Sequence, residues 1–400
     1  MAEWIEKSLG EIAEVTKLAG FEFTKHIKYT SDGEIIALRA LNLRNGELDL
    51  TDIKRISIEV SERLTRSKIY KDDILLTYTG NGYGDCAIIE DNDKYHLAPN
   101  ICKIVPNKKE VFPYYLYCYI RSKAFYNQMS NNMTGSGQPT IPMKTIRLLK
   151  IPVPKMGVQI NIANMIWLIN QKIRNNKAIN NNLLEQVLAI YRHRFVDTTN
   201  ELRQICRADE YFDISIGKTP PRKEPQWFST NPKDVTWVSI SDMGTCGLYI
   251  SESSEQLTKE AVDRHNVKIV PDNTVLLSFK LTVGRIAITD GEMTTNEAIA
   301  HFKTDKKEIN EYLYCYLKCF NYQTMGSTSS IATAVNSKII KGMPFIVPTD
   351  EEITEFHSLA ASMFARIKAN QAEIRNLTLL RDALLPKLMS GELNVSDIDL

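Results

Sequence analysis

The sequence predicts an α+β protein. Two tandem mixed α/β domains are separated by two long helices, packed as an antiparallel coiled coil with approximate internal two-fold symmetry. Three observations carry this reading: the chain repeats itself at about half its length, each half closes on a long uninterrupted helical segment, and the two segments carry matching apolar seams. The expected boundaries are residues 1–155 for the first domain, 156–197 for the first helix, 198–348 for the second domain and 349–391 for the second helix.

The repeat is legible residue by residue. Tyr115-Leu116-Tyr117-Cys118-Tyr119 recurs as Tyr312-Leu313-Tyr314-Cys315-Tyr316. Asp72-Asp73-Ile74-Leu75-Leu76-Thr77 resembles Asp272-Asn273-Thr274-Val275-Leu276-Leu277-Ser278, and Gly84 aligns with Gly284. Leu38 to Asn42 aligns with Val238 to Asp242, Gly135-Ser136 with Gly326-Ser327, and Pro152 and Pro154 with Ile346 and Pro348. The separation drifts from 200 (Asp72 to Asp272) through 197 (Tyr115 to Tyr312) to 194 (Pro154 to Pro348), so short insertions divide the copies. Chance similarity is excluded because every match runs in the same order.

Each copy opens on strands and turns. The apolar runs at 35–38, 73–77 and 86–89 are bounded by turn residues, as are those at 235–238, 274–277 and 285–288. The tyrosine-rich pentapeptide falls in a helix expected over 113–122 and again over 309–319. Its helical apolar spacing favours core over base-stacking platforms. Prolines at 152 and 154, and at 344 and 348, then interrupt the chain before each long helix.

The long helices are expected over 157–195 and 350–389, without internal glycine and without proline before Pro386. A 4-3 repeat runs Ile162, Ile166, Ile169, Ile173, Asn176, Asn180, Leu183, Val187 and Ile190 in the first. In the second it runs Phe356, Ala360, Met363, Ile367, Asn370, Ile374, Leu377, Arg381 and Leu384. At 1.5 Å per residue each helix spans roughly 58 Å. An intervening domain makes an antiparallel pair the natural solution, with Asn176 and Asn370 meeting near the midpoint to fix the register. Two locally solvated seam positions are the alternative.

Composition narrows the function. Apolar residues make up 43% and charged residues 24%, which is ordinary for a globular protein. With 49 Lys+Arg against 48 Asp+Glu, the net charge of +1 excludes nucleic-acid binding by sheer charge but leaves local basic surfaces open. No apolar run is long enough to span a membrane, and the opening Met1 to Lys7 does not read as a signal peptide. Seven scattered cysteines fit a reduced, cytoplasmic setting. The phosphate-binding G-x-x-x-x-G-K-[ST] pattern is missing, and so is the Asp/Asn-Pro-Pro-Tyr/Phe motif of amino-methyltransferases. The six histidines and the pair Cys315 and Cys319 do not complete a metal site. No catalytic residue, metal or resident cofactor is therefore expected.

Several segments resemble the DNA-specificity subunit of type I restriction–modification systems. They are the opening Ser8-Leu9-Gly10-Glu11-Ile12-Ala13-Glu14-Val15, the Ile216-Gly217-Lys218-Thr219-Pro220 signature, the run from Gly135 into Pro154, and above all Leu384-Leu385-Pro386-Lys387-Leu388-Met389-Ser390-Gly391-Glu392-Leu393. The first helix departs from that last motif and ends Tyr191-Arg192-His193-Arg194-Phe195. The resemblance covers nearly the whole chain. It implies two target-recognition domains, each reading one half of a split DNA target in the major groove, with the helices setting the spacer. It also implies partners: double-stranded DNA, two adenine methyltransferase subunits that hold S-adenosylmethionine and flip the target base, and restriction (translocase and nuclease) subunits. A coiled-coil protein adaptor without DNA specificity is the rival reading, followed by an enzyme with a dispersed site.

Loops at equivalent places in the two copies are the candidate DNA contacts. In the first domain they hold Arg39, Asn42 and Arg44; Arg63, Arg66 and Lys68; Tyr83; and Ser136, Gln138 and Thr140. In the second they hold Lys218, Arg222 and Lys223; Ser239 and Asp242; Lys280 and Arg285; and Ser327 and Thr328. Taken singly, each charged residue has the alternative of a solvated surface. The outward helix residues Arg174, Lys177, Arg366, Lys368 and Arg375 are candidates for docking the methyltransferase.

Overall fold

The opening segment shows how local sequence becomes structure here. The Ser8 backbone N–H and hydroxyl both donate to the Glu11 carboxylate, at 2.6 and 2.5 Å. This caps the single turn Leu9–Ile12, whose two apolar ends are fully buried. The second copy repeats the device: the Arg207 N–H donates to Glu210 at 3.2 Å over the turn Ala208–Tyr211. These features come from a computed structural model that describes residues 4–80, 82–135, 139–197, 203–325 and 335–394.

The chain divides into two compact units. One is built from residues up to Ile173 together with those from Asn376 onward. Its main antiparallel sheet has the order Ala13–Lys17, Ile101–Pro106, Ile74–Thr77, Cys86–Ile88. Every residue of Ile74–Thr77 is buried, which is why Ile74, Leu75 and Leu76 follow one another without polar alternation. A second sheet has the order Lys54–Ile56, Ile35–Leu38, Tyr95–Leu97, Lys68–Ile69, with a parallel pair at its centre. Ile5–Ser8 pairs with Lys150–Val153, so Pro152 lies in a two-stranded ribbon, where a missing N–H is tolerated.

The other unit runs from Arg174 to Arg375 and repeats this topology. Its main sheet has the order Asp213–Ile216, Ile299–Lys303, Val275–Ser278, Ile286–Thr289, with Tyr249–Ile250 added in parallel at the edge. Ile205–Arg207 pairs with Pro344–Ile346, as the equivalent ribbon does in the first unit. The tyrosine pentapeptides lie in the helices Pro113–Ile120 and Asn310–Cys319 and are buried throughout. They are core, as their spacing predicts. Tyr115 donates to the Pro152 carbonyl at 2.6 Å and Tyr312 to the Ile346 carbonyl at 3.0 Å, equivalent bonds at equivalent places.

The long helices are Met156–Tyr191, followed by a wider π turn at Arg192–Val196, and Asp350–Ser390. Within the second unit Asn176 donates to Glu373 at 2.7 Å, Asn370 to Asn180 at 2.8 Å and Arg194 to Glu355 at 3.0 Å. Numbers rise on one helix as they fall on the other, so the pairing is antiparallel. Within the first unit Arg381 likewise donates to Asn170 at 3.2 Å. Asn176 and Asn370 are each only 1% exposed. They do not meet each other, contrary to the sequence expectation. The register is displaced by about one turn, so each takes its partner from the opposite helix one turn away. Among the described residues, no helix is long and apolar enough to cross a membrane.

Candidate nucleic-acid interface

In the first domain, two loops predicted separately from sequence are stitched into one surface. The Gly80 N–H donates to the Pro139 carbonyl at 2.9 Å, and the Ile141 N–H to the Tyr78 carbonyl at 3.0 Å. The Thr79 and Thr140 hydroxyls lie 2.6 Å apart. Thr140 is thus bound into the frame rather than presented alone. Beside it Tyr83 stacks on Tyr126, with ring centroids 5.2 Å apart and planes inclined by 17°. Tyr126 donates to the Tyr83 oxygen at 2.7 Å, and that bond holds the Tyr83 phenol below its ordinary value. Gly84, at φ +90°, makes the stack possible, since a Cβ there would stand 2.9 Å from the Tyr126 ring. Ser136 and Gln138 lie outside the described residues, as do Ser327 and Thr328 of the second domain.

The second domain builds the corresponding hairpin between Val275–Ser278 and Ile286–Thr289. Gly284 again has φ +90° and packs on Tyr322, the counterpart of Tyr126. The backbone bonds match as well: Gly84 donates to Thr77 and Gly284 to Ser278, each at 3.0 Å. The tip differs. Lys280 and Leu281 project into solvent, and Leu281 is 100% exposed at φ +60°. Arg285 turns inward instead and donates to the Ile240 carbonyl at 2.6 Å.

The remaining candidates separate into framework and surface. Asn42 is a candidate DNA contact from the sequence, but the side chain is fully buried. Its amide donates to the carbonyls of Asp49 and Asp52 at 2.8 Å each, and its oxygen accepts from the Arg39 N–H at 3.0 Å. With its hydrogen bonds consumed, it holds the loop that carries Arg39 and Arg44. Ser239 and Asp242 likewise form a capping box, with Asp242 also accepting from the Ser254 N–H at 3.0 Å. These three, expected as DNA contacts, serve as loop supports in the structure.

The candidate cations sit beside acids; Arg39 and Lys68 are half-buried, with side chains 20% and 18% exposed. Arg44 lies 3.7 Å from Asp49, Arg39 3.0 Å from Asp52, Arg63 2.9 Å from Glu59 and Arg66 3.3 Å from Glu22, while Lys68 pairs with Glu62. Arg222 lies 2.9 Å from Glu255, with its guanidinium over Phe228 at 4.2 Å and Trp237 at 4.6 Å. Exposed pairs of this kind contribute only about 0–1 kcal/mol, so a phosphate can displace the acid at little cost. Lys223 is exposed beside Arg222. Lys218 donates to the His265 carbonyl at 2.6 Å.

The signature around Lys218 owes its glycine to close packing. A Cβ on Gly217 would lie 2.1 Å from the Thr295 hydroxyl and 2.2 Å from the Asn296 carbonyl. The Lys218 N–H donates to Thr295, and the Trp237 indole donates to the Lys218 carbonyl at 3.2 Å. The strand turn beneath is held by His301, which bridges the Ser215 hydroxyl at 3.0 Å and the Thr295 hydroxyl at 2.7 Å.

Two helix residues expected to face outward do not. Lys368 lies 2.9 Å from Asp290, and Arg375 lies 3.4 Å from Asp290 and 3.8 Å from Glu252, so both clamp the second domain. Lys177 and Arg366 are exposed. Sequence reasoning missed Gln371, whose carboxamide accepts from the Tyr249 N–H at 3.0 Å and donates to the carbonyls of Cys246 and Tyr249. It is adjacent to the seam position Asn370, and no periodicity marks it. Tyr126 was missed too, because its partner lies 43 residues away.

Comparison with known proteins agrees with this arrangement. Residues 1–185 and 201–374 match the family described as type I restriction modification DNA specificity domain. The HindI specificity subunit of Haemophilus influenzae is 21% identical, over 98% of this chain and 100% of its own. The MjaIX specificity subunit of Methanocaldococcus jannaschii is 25% identical, over 99% and 95%. A crystal structure of the type I restriction–modification S subunit from M. genitalium shares the fold, with a TM-score of 0.59 and 14% identity over 97% of this chain and 96% of that one.

Proposed function

We propose that this chain, which belongs to the type I restriction modification DNA specificity family and carries its domain twice, reads a split DNA target with one domain per half-site. The observation that carries the reading is the pair of hairpins. The same strands, glycine and backing tyrosine recur in both copies, and the tip residues differ. A common frame with different tips is what two different half-sites require. Base edges in the major groove supply the information, and the exposed cations supply phosphate contacts that hold each domain in register. Arg44, Arg63 and Arg66 in the first domain, and Arg222, Lys223 and Lys280 in the second, are the side chains best placed for the latter.

The chain acts without catalysis of its own and works in the cytoplasm. Two adenine methyltransferase subunits, which bring S-adenosylmethionine, and the restriction subunits dock on it. The apolar side chains Trp167, Leu168, Leu379 and Leu380 support the docking role, being 44%, 51%, 67% and 47% exposed along the helices of the first unit. Asn176 and Asn370 fix the helix register, and through it the spacer between half-sites. The domain limits proposed for exchange are residues 1–155 and 198–348.

The test is co-expression with the methyltransferase subunit encoded beside it, followed by single-molecule mapping of methylated adenine. The expected result is a bipartite motif in which one half changes when residues 1–155 are exchanged and the other when 198–348 are exchanged. A stable complex that methylates nothing would favour the adaptor reading. Methylation by the chain alone would overturn the non-catalytic role.

A further inference from the structure

Leu281 stands out in the second hairpin. A large apolar side chain left wholly in water forgoes the stabilisation that burial gives, and Leu281 is 100% exposed. It also holds φ +60°, a left-handed conformation that disfavours a side chain with a Cβ. The position is not slack. Phe279 N–H donates to Ala298 at 2.9 Å, Thr282 N–H to Lys280 at 2.6 Å and Gly284 N–H to Ser278 at 3.0 Å. The buried Ser278 hydroxyl donates to the Thr282 carbonyl at 2.6 Å and accepts from the Arg285 N–H at 3.0 Å. The tip is therefore a braced loop, 279–285, on the strands Val275–Ser278 and Ile286–Thr289; it leaves Leu281 wholly exposed beside Lys280, whose exposed side chain passes over the Phe279 ring with its ammonium 5.8 Å from the centroid.

We infer that Leu281 is a specificity-determining residue that packs on the 5-methyl group of a thymine in the half-site read by the second domain. The inference rests on the DNA-reading function proposed above. The major groove is wide enough to admit a hairpin and the loop at its end, and the thymine methyl is the apolar feature exposed there. Lys280, adjacent on the same tip, reaches the phosphate flanking that base. Rigidity matters because the contact is small: a tip that had to be ordered on binding would lose the gain to entropy. The first domain's tip is built around Gly80, Gly82 and Tyr83 and offers no such aliphatic group among its described residues; the contact inferred from Leu281 concerns the second half-site.

The experiment uses the chain bound to its methyltransferase and duplexes carrying the mapped target. Thymines of each half-site are replaced one at a time by uracil, which pairs identically and lacks the methyl group. Burial of one methyl group is worth about a fourfold change in affinity. The wild-type complex should lose about that factor at one thymine of the second half-site. Leu281→Asn keeps a residue suited to the left-handed turn and should bind thymine and uracil duplexes equally. Leu281→Met should retain part of the discrimination. Equal binding of all uracil duplexes by the wild type overturns the contact. So does undiminished discrimination by Leu281→Asn; where that variant also binds both duplexes more weakly by the same factor, Leu281 acts as a wedge between bases and not as a methyl contact. If the wild-type complex shows no sequence-selective binding, this inference and the reading beneath it both fall.

Discussion

The hairpins around Gly84 and Gly284 differ most where they project. Below the tips the same glycine conformation, the same backbone closure and the same aromatic backing recur. At the tips one copy carries glycines and a stacked tyrosine pair, the other Lys280 and a bare Leu281. Structure has thus been held constant where folding needs it and released where it meets solvent. Loops set on a rigid scaffold commonly carry recognition, and here the two copies act as each other's control.

The sharpest way to break the comparison is at the strand-to-loop junctions. Gly217 has no space for a methyl group, because Thr295 and Asn296 atoms lie within 2.2 Å of where its Cβ would stand, whereas a Cβ on Gly20 meets nothing within 4 Å. Gly217→Ala should destabilise the second domain by about 3 kcal/mol, because the Asn296 contact is with backbone that cannot swing away. Gly20→Ala, in the first turn of the helix Gly20–His26, should be neutral or slightly stabilising. Urea denaturation of the full chain measures both. Equal effects would mean that the two junctions are alike after all.

A second contrast is acid sensitivity. Burial, with help from the Lys303 charge, pushes the His301 imidazole down to about 3. Its folded pKa lies below its unfolded one, so the unfolded chain binds the extra proton between these values. The associated stability is complete above about pH 6.5 and is lost as the pH falls towards 3. Between pH 7 and pH 5 the loss should be about 2 kcal/mol, and His301→Gln should remove that slope. His96 in the first domain is also buried and lowered, but carbonyls of Leu97 and Leu64 at 2.9 and 3.3 Å favour its protonated form and oppose the shift. Hydrogen exchange at pH 5 should therefore show Ile299–Lys303 opening before Tyr95–Leu97.

Much of this frame was legible in the sequence, because a repeat and a seam are long-range patterns written in residue order. The buried runs at 74–77 and 275–278 and both long helices follow from apolar spacing. The strands Ile101–Pro106 and Ile299–Lys303, central to their sheets, were not read: each contains a residue, Lys103 or His301, whose burial depends on partners far away in sequence. The interface was less legible for the same reason. Asn42, Ser239 and Asp242 have the residue types of base readers, and only three-dimensional hydrogen bonding reveals them as supports. Composition gives the kinds of group a loop holds; it does not give which way each one turns.

The smallest expected effect tests the repeat itself. Tyr115 and Tyr312 donate to carbonyls of the terminal strands Lys150–Val153 and Pro344–Ile346, so each ties its helix to the segment leading into a long helix. Replacing Tyr115 by Phe keeps the ring and deletes one bond, and about 1 kcal/mol should be lost; Tyr312→Phe deletes the bond to Ile346 and also the side-chain hydrogen bond between Tyr312 and the buried Tyr191. The surroundings then distinguish them. Tyr312 has edge contacts with Tyr191, Phe195 and Phe356 on the long helices and the turn that follows the first, whereas Tyr115 is not part of such an aromatic cluster among the described residues. Tyr312→Phe leaves the buried Tyr191 hydroxyl without that bond, so its cost should exceed that of Tyr115→Phe. Paired urea titrations decide it: an equal or smaller cost at Tyr312 would mean that the aromatic cluster, and not the hydroxyl, anchors the second domain to its helix.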